Sequence, residues 1–483
     1  MKCKNIHLFL FIFLFLPAIS VAQFFPTPPL PVEIGRAIGQ DSSVTFRVSG
    51  ISIIGNKKTK AYIIRRELLF KEGDTIGGRR LYDMIHQSRS LVYNTSLFTL
   101  VDIFPEFQDS TSLHFTITVR EKWYVYPTPQ FQLADRNFNE WINTHNADFN
   151  RVIYGAKFTH YNLSGRRDKL DIYLLNGYAR NLSFNYSAPY SNRSLTEGFS
   201  ASVSYTQNRE ISYKTTPDNK LAFVKAGKFV RENFSVAGTY IKRTGYYWRQ
   251  TFGVGYTFNN VADTILTSSY NPNYFNSKKA YQNFADINYT VQYINVDNNA
   301  YPLSGKAGKI GVRKRGFDFS GGVNALTFDG FYVKYNDHGK GWFTSLALMS
   351  QIALPFKLAY INQRAFGFGD YYLRGLENYV IDGPASALTR FTLKKHLATF
   401  KIPLPFKSNV LPYIPFSFYG KIYGDAGYAY QRKEFDTRLN NKFLYTGGIG
   451  LDVLTLYDVN FRIEYSFNQL NEKGLFLHSQ GGF

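Results

Sequence analysis

The chain has 483 residues, room for one small domain and one large one, and carries a formal net charge of +21. Its 56 Lys and Arg are spread along the sequence rather than clustered, which argues against a nucleic-acid groove and fits solvated loops beside anionic lipid headgroups. The only cysteine is Cys3, inside the N-terminal leader, so the rest of the chain can form neither a disulfide nor a thiolate metal site. The 37 Tyr and 44 Phe exceed what a soluble protein commonly carries, whereas membrane barrels use such rings as girdles at both interfaces.

Residues 1–22 read as a secretory signal. Lys2 and Lys4 give the positive start, Leu8 to Ala18 the apolar stretch, and Ser20-Val21-Ala22 a small-x-small cleavage site. The apolar run falls short of the roughly 20 residues a spanning helix needs, so the segment is expected to be removed. Residues 23–43 form a Pro-rich linker that opens with FFPTPPLP from Phe24 to Pro31.

Residues 44–123 are expected to form a small α+β unit. Val44 to Ile54 is strand-like and stops at the turn signal Gly55-Asn56. Thr59 to Phe70 has helical spacing, with Ile63, Ile64, Leu68 and Leu69 able to share a face. A second helix spans Arg79 to Tyr93, and strands follow at Phe98 to Phe104 and Leu113 to Arg120. Residues 23–43 are too few for another such unit.

Residues 124–483 switch to period-2 alternation. Phe199, Ala201, Val203 and Tyr205 alternate with Ser200, Ser202, Ser204 and Thr206. Val459, Phe461, Ile463, Tyr465 and Phe467 alternate with Asn460, Arg462, Glu464, Ser466 and Asn468. An apolar face opposite an Arg and a Glu suits a transmembrane strand between lipid and lumen, and about 16 such strands give an antiparallel barrel. Short turns at 163–166, 242–245 and 457–458 are expected on the rim beside the small unit. Long segments at 135–151, 209–232, 259–279 and 354–386 are expected on the opposite rim, and the Pro-rich connection 402–412 is a longer exception beside the small unit. The chain ends in a strand, Gly474 to Phe483, whose terminal aromatic is common in outer-membrane barrels.

The β-α-α-β-β order, Gly55-Asn56, Asn94-Thr95-Ser96-Leu97-Phe98 and the closing stretch Phe115 to Glu121 resemble a POTRA domain. With a barrel of this size and the loop Phe366 to Gly383 before barrel strand twelve, the chain resembles the outer-membrane protein assembly superfamily, which includes BamA, TamA and the two-partner secretion transporters. In that family the loop folds into the lumen, and the Arg of a V/I-R-G-F/Y motif pairs with an Asp on barrel strand thirteen. Here the motif reads Leu373-Arg374-Gly375-Leu376, without the final aromatic, and the matching aspartate is Asp425. Alternation places Asp425 on the same face as Tyr419, Lys421 and Tyr423, toward the lumen. A partner nearer than Arg374, such as Lys421 or Arg462, is the alternative. The family often adds an acidic group from barrel strand twelve, but Arg390, Thr392, Lys394 and His396 occupy that face, so Asp452 or Glu464 is expected to substitute. Tyr301-Pro302-Leu303-Ser304-Gly305 resembles a family turn and reads equally well as a plain Pro-Gly turn.

No metal-ligand pair, phosphate loop or catalytic constellation stands out. His396 and His478 read as isolated lumen or interface residues, so neither an enzyme nor a cofactor is expected. The resemblance implies a bacterial outer-membrane barrel with its POTRA-like unit in the periplasm, assisting insertion of other outer-membrane proteins through a seam between the first strand, Tyr126 to Ala134, and the last, with Leu475, Leu477 and Phe483 on the latter. Its partners would be lipid, client outer-membrane or secreted proteins, and periplasmic accessory proteins. Clients would add a strand at the POTRA edge through Phe98, Leu100 and Phe104. The rival readings are a dedicated secretion pore of the two-partner type and a structural barrel without a client.

Overall fold

In the computed structural model of the chain, residues 43–133, 146–277, 279–317, 323–403, 413–432, 436–455 and 459–480 are described, with 31, 34, 35 and 37 before them. The expected signal, most of the linker, most of 135–151 and 402–412, the turn at 457–458 and Phe483 lie outside the described residues.

The first unit is a sheet with helices packed on one face. Strand β1 (Thr45–Ile54) leads to helix α1 (Ala61–Arg65), strand β2 (Thr75–Gly77), helix α2 (Gly78–Tyr93), and strands β3 (Phe98–Phe107) and β4 (Ser112–Glu121). The sheet order is β2-β1-β4-β3, with β1 and β4 parallel. Strand β3 therefore lies at an edge, with Phe98 buried, Leu100 half-buried and Phe104 exposed. Apolar alternation drives this packing: Phe46, Val48 and Ile51 from β1 meet Leu81, Ile85 and Val92 from α2 and Phe115, Ile117 and Val119 from β4.

Two expectations need correction here. The helix expected over 59–70 is only Ala61–Arg65, and β2 is an added edge strand. Beyond Arg66 the chain turns because Leu68 and Phe70 both enter the core and the Leu68 carbonyl accepts a hydrogen bond from Tyr246 Oη at 2.7 Å. A tertiary partner thus replaces the helical one.

The second unit is one antiparallel sheet of 16 strands. In order they are β5 (Val125–Leu133), β6 (Val152–Tyr161), β7 (Lys169–Gly177), β8 (Ala179–Ala188), β9 (Glu197–Asn208), β12 (Arg231–Thr244), β13 (Trp248–Val261), β14 (Tyr281–Val296), β15 (Gly305–Arg315), β16 (Ala325–Asp337), β17 (Trp342–Leu354), β18 (Ala385–Pro403), β19 (Tyr413–Tyr430), β20 (Phe443–Leu454), β21 (Asn460–Asn468) and β22 (Lys473–Gln480). A separate hairpin, β10 (Glu210–Thr215) with β11 (Leu221–Lys225), rises between β9 and β12. The faces follow the alternation in the sequence. Phe199, Val203, Phe461, Ile463 and Phe467 are exposed outward, while Asn460, Glu464 and Ser466 are buried inward. This reverses the burial of a soluble sheet and is the pattern of a strand between lipid and lumen.

The first unit sits on one rim. Gly165 O accepts from Lys60 N at 3.0 Å, Asn162 Nδ2 donates to Thr59 Oγ1 at 2.9 Å, and Arg66 donates to Leu195 O and Gly245 O, each at 3.0 Å. The turns at 163–166 and 242–245 thus share the rim that faces it. At the centre of the joint Arg243 grips Glu67 with both terminal nitrogens, Nη2 to Oε2 at 2.6 Å, and Tyr190 Oη donates to Glu67 Oε1 at 2.8 Å. Glu67 is 1% exposed and Arg243 6%. Asn94, in the Asn94 to Phe98 motif, donates to Val296 O at 2.8 Å and accepts from Asn299 N at 2.9 Å, so that motif fastens α2 to the barrel.

Burial alone would push the Glu67 carboxyl up, but hydrogen bonding and charge from Arg243 outweigh it and hold the group below the usual carboxylate range. A depressed folded-state value contributes stability above the unfolded carboxylate pKa of about 4.3, and that contribution is lost as pH falls through the lower folded value. The joint is therefore expected to stay closed at neutral pH and loosen in stronger acid. Replacing Glu67→Ala strands Arg243, at a cost of about 3–5 kcal/mol for a buried pair broken from one side. Limited proteolysis between the two units should accelerate in that variant at neutral pH, and in the wild type only in acid.

Candidate functional site: the lumen loop and the seam

The connection between β17 and β18 turns back into the lumen. Its apolar residues Ala365, Phe366, Leu373, Leu376, Tyr379 and Ile381 pack with Leu388 of β18, Ala429 of β19 and Leu444 of β20. Both leucines flanking the Arg-Gly pair, Leu373 and Leu376, are buried there. Gly375 has φ +91°, and a Cβ on it would lie 2.8 Å from Ser466 Cβ. Only glycine meets both the left-handed backbone and the close approach to β21.

Arg374 is held from four directions. Its backbone N donates to Asp425 Oδ2 at 2.9 Å and its Nε to the same carboxylate at 3.1 and 3.2 Å, with Nη2 completing a two-pronged contact. Nη1 donates to Thr392 Oγ1 at 3.0 Å and Nη2 to Phe391 O at 3.2 Å, both on β18. The guanidinium lies 4.1 Å from the centre of the Tyr423 ring, and Tyr423 Oη is 2.6 Å from Ser466 Oγ. Arg374 is 8% exposed and Asp425 3%. Arg390 adds a second cation, its Nε 3.7 Å from Asp425 Oδ2.

Asp452 and Glu464 do not substitute at this pair. Both bind Lys421, which donates to Asp452 and lies 2.6 Å from Glu464 Oε1. Lys394 Nζ is 3.6 Å from Asp452, and Tyr301 Oη donates to Asp452 at 2.8 Å. Strand alternation explains the difference: Lys421 points inward two positions from Tyr423 and intercepts carboxylates from β20 and β21 before they reach Arg374. The turn that carries Tyr301 thus does more than reverse the chain, because its ring enters the lumen and closes this second ionic cluster.

Two features carry no clear signal in the sequence. Glu377, three residues beyond Arg374, lies 3.2 Å from His478 on the last strand, and His478 is also 3.5 Å from Glu464. Tyr372 stacks on the His478 ring at 6.0 Å. His478 therefore ties the lumen loop to β22. Its only trace in the sequence is a lone histidine at an inward-facing position. These three side chains are, among the described residues, the group close enough to share a cation, and Lys421 already occupies one Glu464 oxygen. The second feature is a cap at the mouth away from the first unit. The turn of the β10–β11 hairpin places Asn219, fully buried, between two other loops. Its Nδ2 donates to Val380 O at 3.0 Å and Thr437 Oγ1 at 2.7 Å, and its Oδ1 accepts from Leu439 N at 2.8 Å.

The seam has an unequal build. Every neighbouring strand pair in the sheet is laddered, but among the described residues no ladder joins β5 to β22. Tyr161 N donates to Tyr124 O, which fixes the alternation: even-numbered residues of β5 bond β6, and odd-numbered ones point their backbone at the free edge. Pro127 and Pro129 are odd-numbered and carry no N–H, so this edge lacks two donors. On β22 Leu475 and Leu477 are exposed outward.

The POTRA family model, described as a surface antigen variable number repeat, matches residues 46–122. No curated protein matches the sequence. Among solved structures, CdiB from Escherichia coli is similar over 90% of this chain and 75% of its own, with 12% identity and a TM-score of 0.52. BamA from Haemophilus ducreyi lacking POTRA domains 1–3 matches over 90% of this chain and 84% of its own, with 14% identity and a TM-score of 0.47. The chain is thus a POTRA domain joined to a 16-stranded antiparallel barrel. Among the described residues the POTRA unit occurs once and precedes the barrel.

Replacing Arg374→Ala leaves Asp425 buried without its partner and is expected to cost about 3–5 kcal/mol. Thermal unfolding in detergent should shift down accordingly. Arg374→Lys should recover only part of the loss, because an ammonium cannot make the two-pronged contact. Replacing Asn219→Ala removes the side-chain bonds that the hairpin turn makes to the other two loops, and planar-bilayer recordings should show higher conductance than wild type.

Proposed function

We propose that this protein resides in a bacterial outer membrane with its POTRA domain in the periplasm, and that it assists insertion or assembly of other outer-membrane proteins through the β5–β22 seam. The observation that carries this reading is the seam itself. A row of unpaired backbone groups is a template for an incoming strand, and a barrel otherwise removes such rows. Pro127 and Pro129 weaken any ladder that would close the gap. The lumen loop is fastened at β18, β19 and β22, and the far mouth is capped, so traffic through the wall is better served than traffic through the lumen. The POTRA strand β3 lies at the sheet edge among the described residues, with Val101 O accepting from Arg89 Nε at 2.7 Å, and that edge would receive a client strand or a periplasmic accessory protein by β-augmentation. The work is binding and templating, with no cofactor and no catalytic step.

The alternative is a dedicated secretion pore of the two-partner type, which the barrel's likeness to CdiB keeps in view. Depletion followed by quantitative proteomics of the outer membrane separates them. Broad loss of other barrels is the expected result; loss of one secreted protein alone would assign the pore. A cysteine pair, one residue in β5 and one in β22, tests the seam directly. Oxidation should block client assembly and reduction should restore it, whereas assembly that proceeds with the seam locked would rule the seam out as the route.

A further inference from the structure

At the joint between α2 and the barrel rim lies a cavity of ≈ 160 Å³, partly open to solvent. Three guanidiniums line it: Arg167, Arg243 and Arg249. Arg243 on β12 and Arg249 on β13 stand directly opposite each other in the ladder, an arrangement that destabilises a sheet when the charges are alike. Only one of the two is compensated. Glu67 takes both terminal nitrogens of Arg243. Arg167 is turned to neutral acceptors, its Nε to Thr95 O at 3.0 Å, Nη1 to Tyr190 Oη at 3.2 Å and Nη2 to Asn94 O at 3.2 Å. Half-buried Arg249 makes no hydrogen bond or ion pair with any described residue. The other carboxylate on the wall, Asp297, accepts from Leu303 N at 3.0 Å and Ser304 N at 3.1 Å within its own turn. Three guanidiniums therefore face two carboxylates, one of them engaged by backbone, and the excess charge is concentrated at Arg249.

We propose that this cavity binds a phosphate group, with Arg249 as its principal ligand and Arg167 beside it. A guanidinium fork matches two phosphate oxygens, and a dianion offsets the opposed Arg243–Arg249 charges. The volume holds a phosphoryl group with water, one water needing about 10–15 Å³ on the same measure. Because Asn94 and Glu67 belong to the POTRA domain and the three arginines to the barrel, an occupant would bridge the two units and tighten the joint. The group can come from inorganic phosphate or from a phospholipid headgroup.

The test uses the full chain in detergent. Inorganic phosphate is titrated by calorimetry, and thermal unfolding is followed in phosphate and in chloride at matched ionic strength. The expected result is a saturable isotherm and a phosphate-specific rise in Tm, with binding weakened at least about tenfold in Arg249→Gln and partly kept in Arg249→Lys. Phosphate that acts no differently from chloride on the wild type would overturn the proposal, as would Arg249→Gln binding as well as wild type. If Arg249→Gln does not fold, the wild-type isotherm and Arg249→Lys decide the question by the same criteria. Monomeric short-chain phosphatidylglycerol then identifies the source: competition with inorganic phosphate assigns the headgroup and its absence assigns the free ion, and both results keep the phosphate site.

Discussion

The contact between Arg374 and Asp425 is the constraint on which the lumen depends. Removing two charges from water is costly, and their attraction offsets that only when geometry is good and the remaining donors are satisfied. Here the backbone N, Nε and both Nη groups of Arg374 all find acceptors, and Tyr423 covers the guanidinium face. The pair thus selects one position of the loop rather than adding general stability. Gly375 makes the same selection sterically, since its close approach to Ser466 exists only when the loop is seated.

A second tier of charges stands toward the POTRA rim. Lys421 binds carboxylates of β20 and β21, and Tyr301 joins them from the β14–β15 turn. Glu464 also meets His478, which meets Glu377 of the loop. The loop, the inward face of β21 and the last strand are therefore one connected polar network, set in a barrel whose outer surface is apolar. At the rim the same device recurs: a buried carboxylate, Glu67, meets a buried guanidinium, Arg243, and fixes a domain rather than a loop.

Much of this architecture is legible in the sequence. Period-2 alternation with Arg and Glu on one face of residues 459–468 is enough to turn the barrel inside out relative to a soluble sheet, and it orients Asp425 correctly. The pairing of Arg374 with Asp425, 51 positions apart, comes from the family pattern and not from spacing. Local patterning fails wherever a residue's partner lies across the joint or the lumen. The helix expected to reach Phe70 ends at Arg65 because barrel residues take over its backbone and Glu67. Asp452 and Glu464 are wrongly expected at Arg374 because alternation tells which face a carboxylate is on but not which cation it meets first. His478 and Asn219 carry no local signal of their roles, since their partners are loops distant in sequence.

The cap at the far mouth has its own consequence. One side-chain amide, Asn219, donates to the β17–β18 connection and to the segment after β19, and accepts from that same segment. Backbone bonds from Val380 N to Asn219 O and from Arg438 N to Pro217 O, each at 2.8 Å, and a bond from Asn440 to Asp382 O tie the same three loops to one another, so lifting one strains the others. Loops tied to one another in this way are expected to open together, as discrete steps of one size rather than a ladder of partial levels.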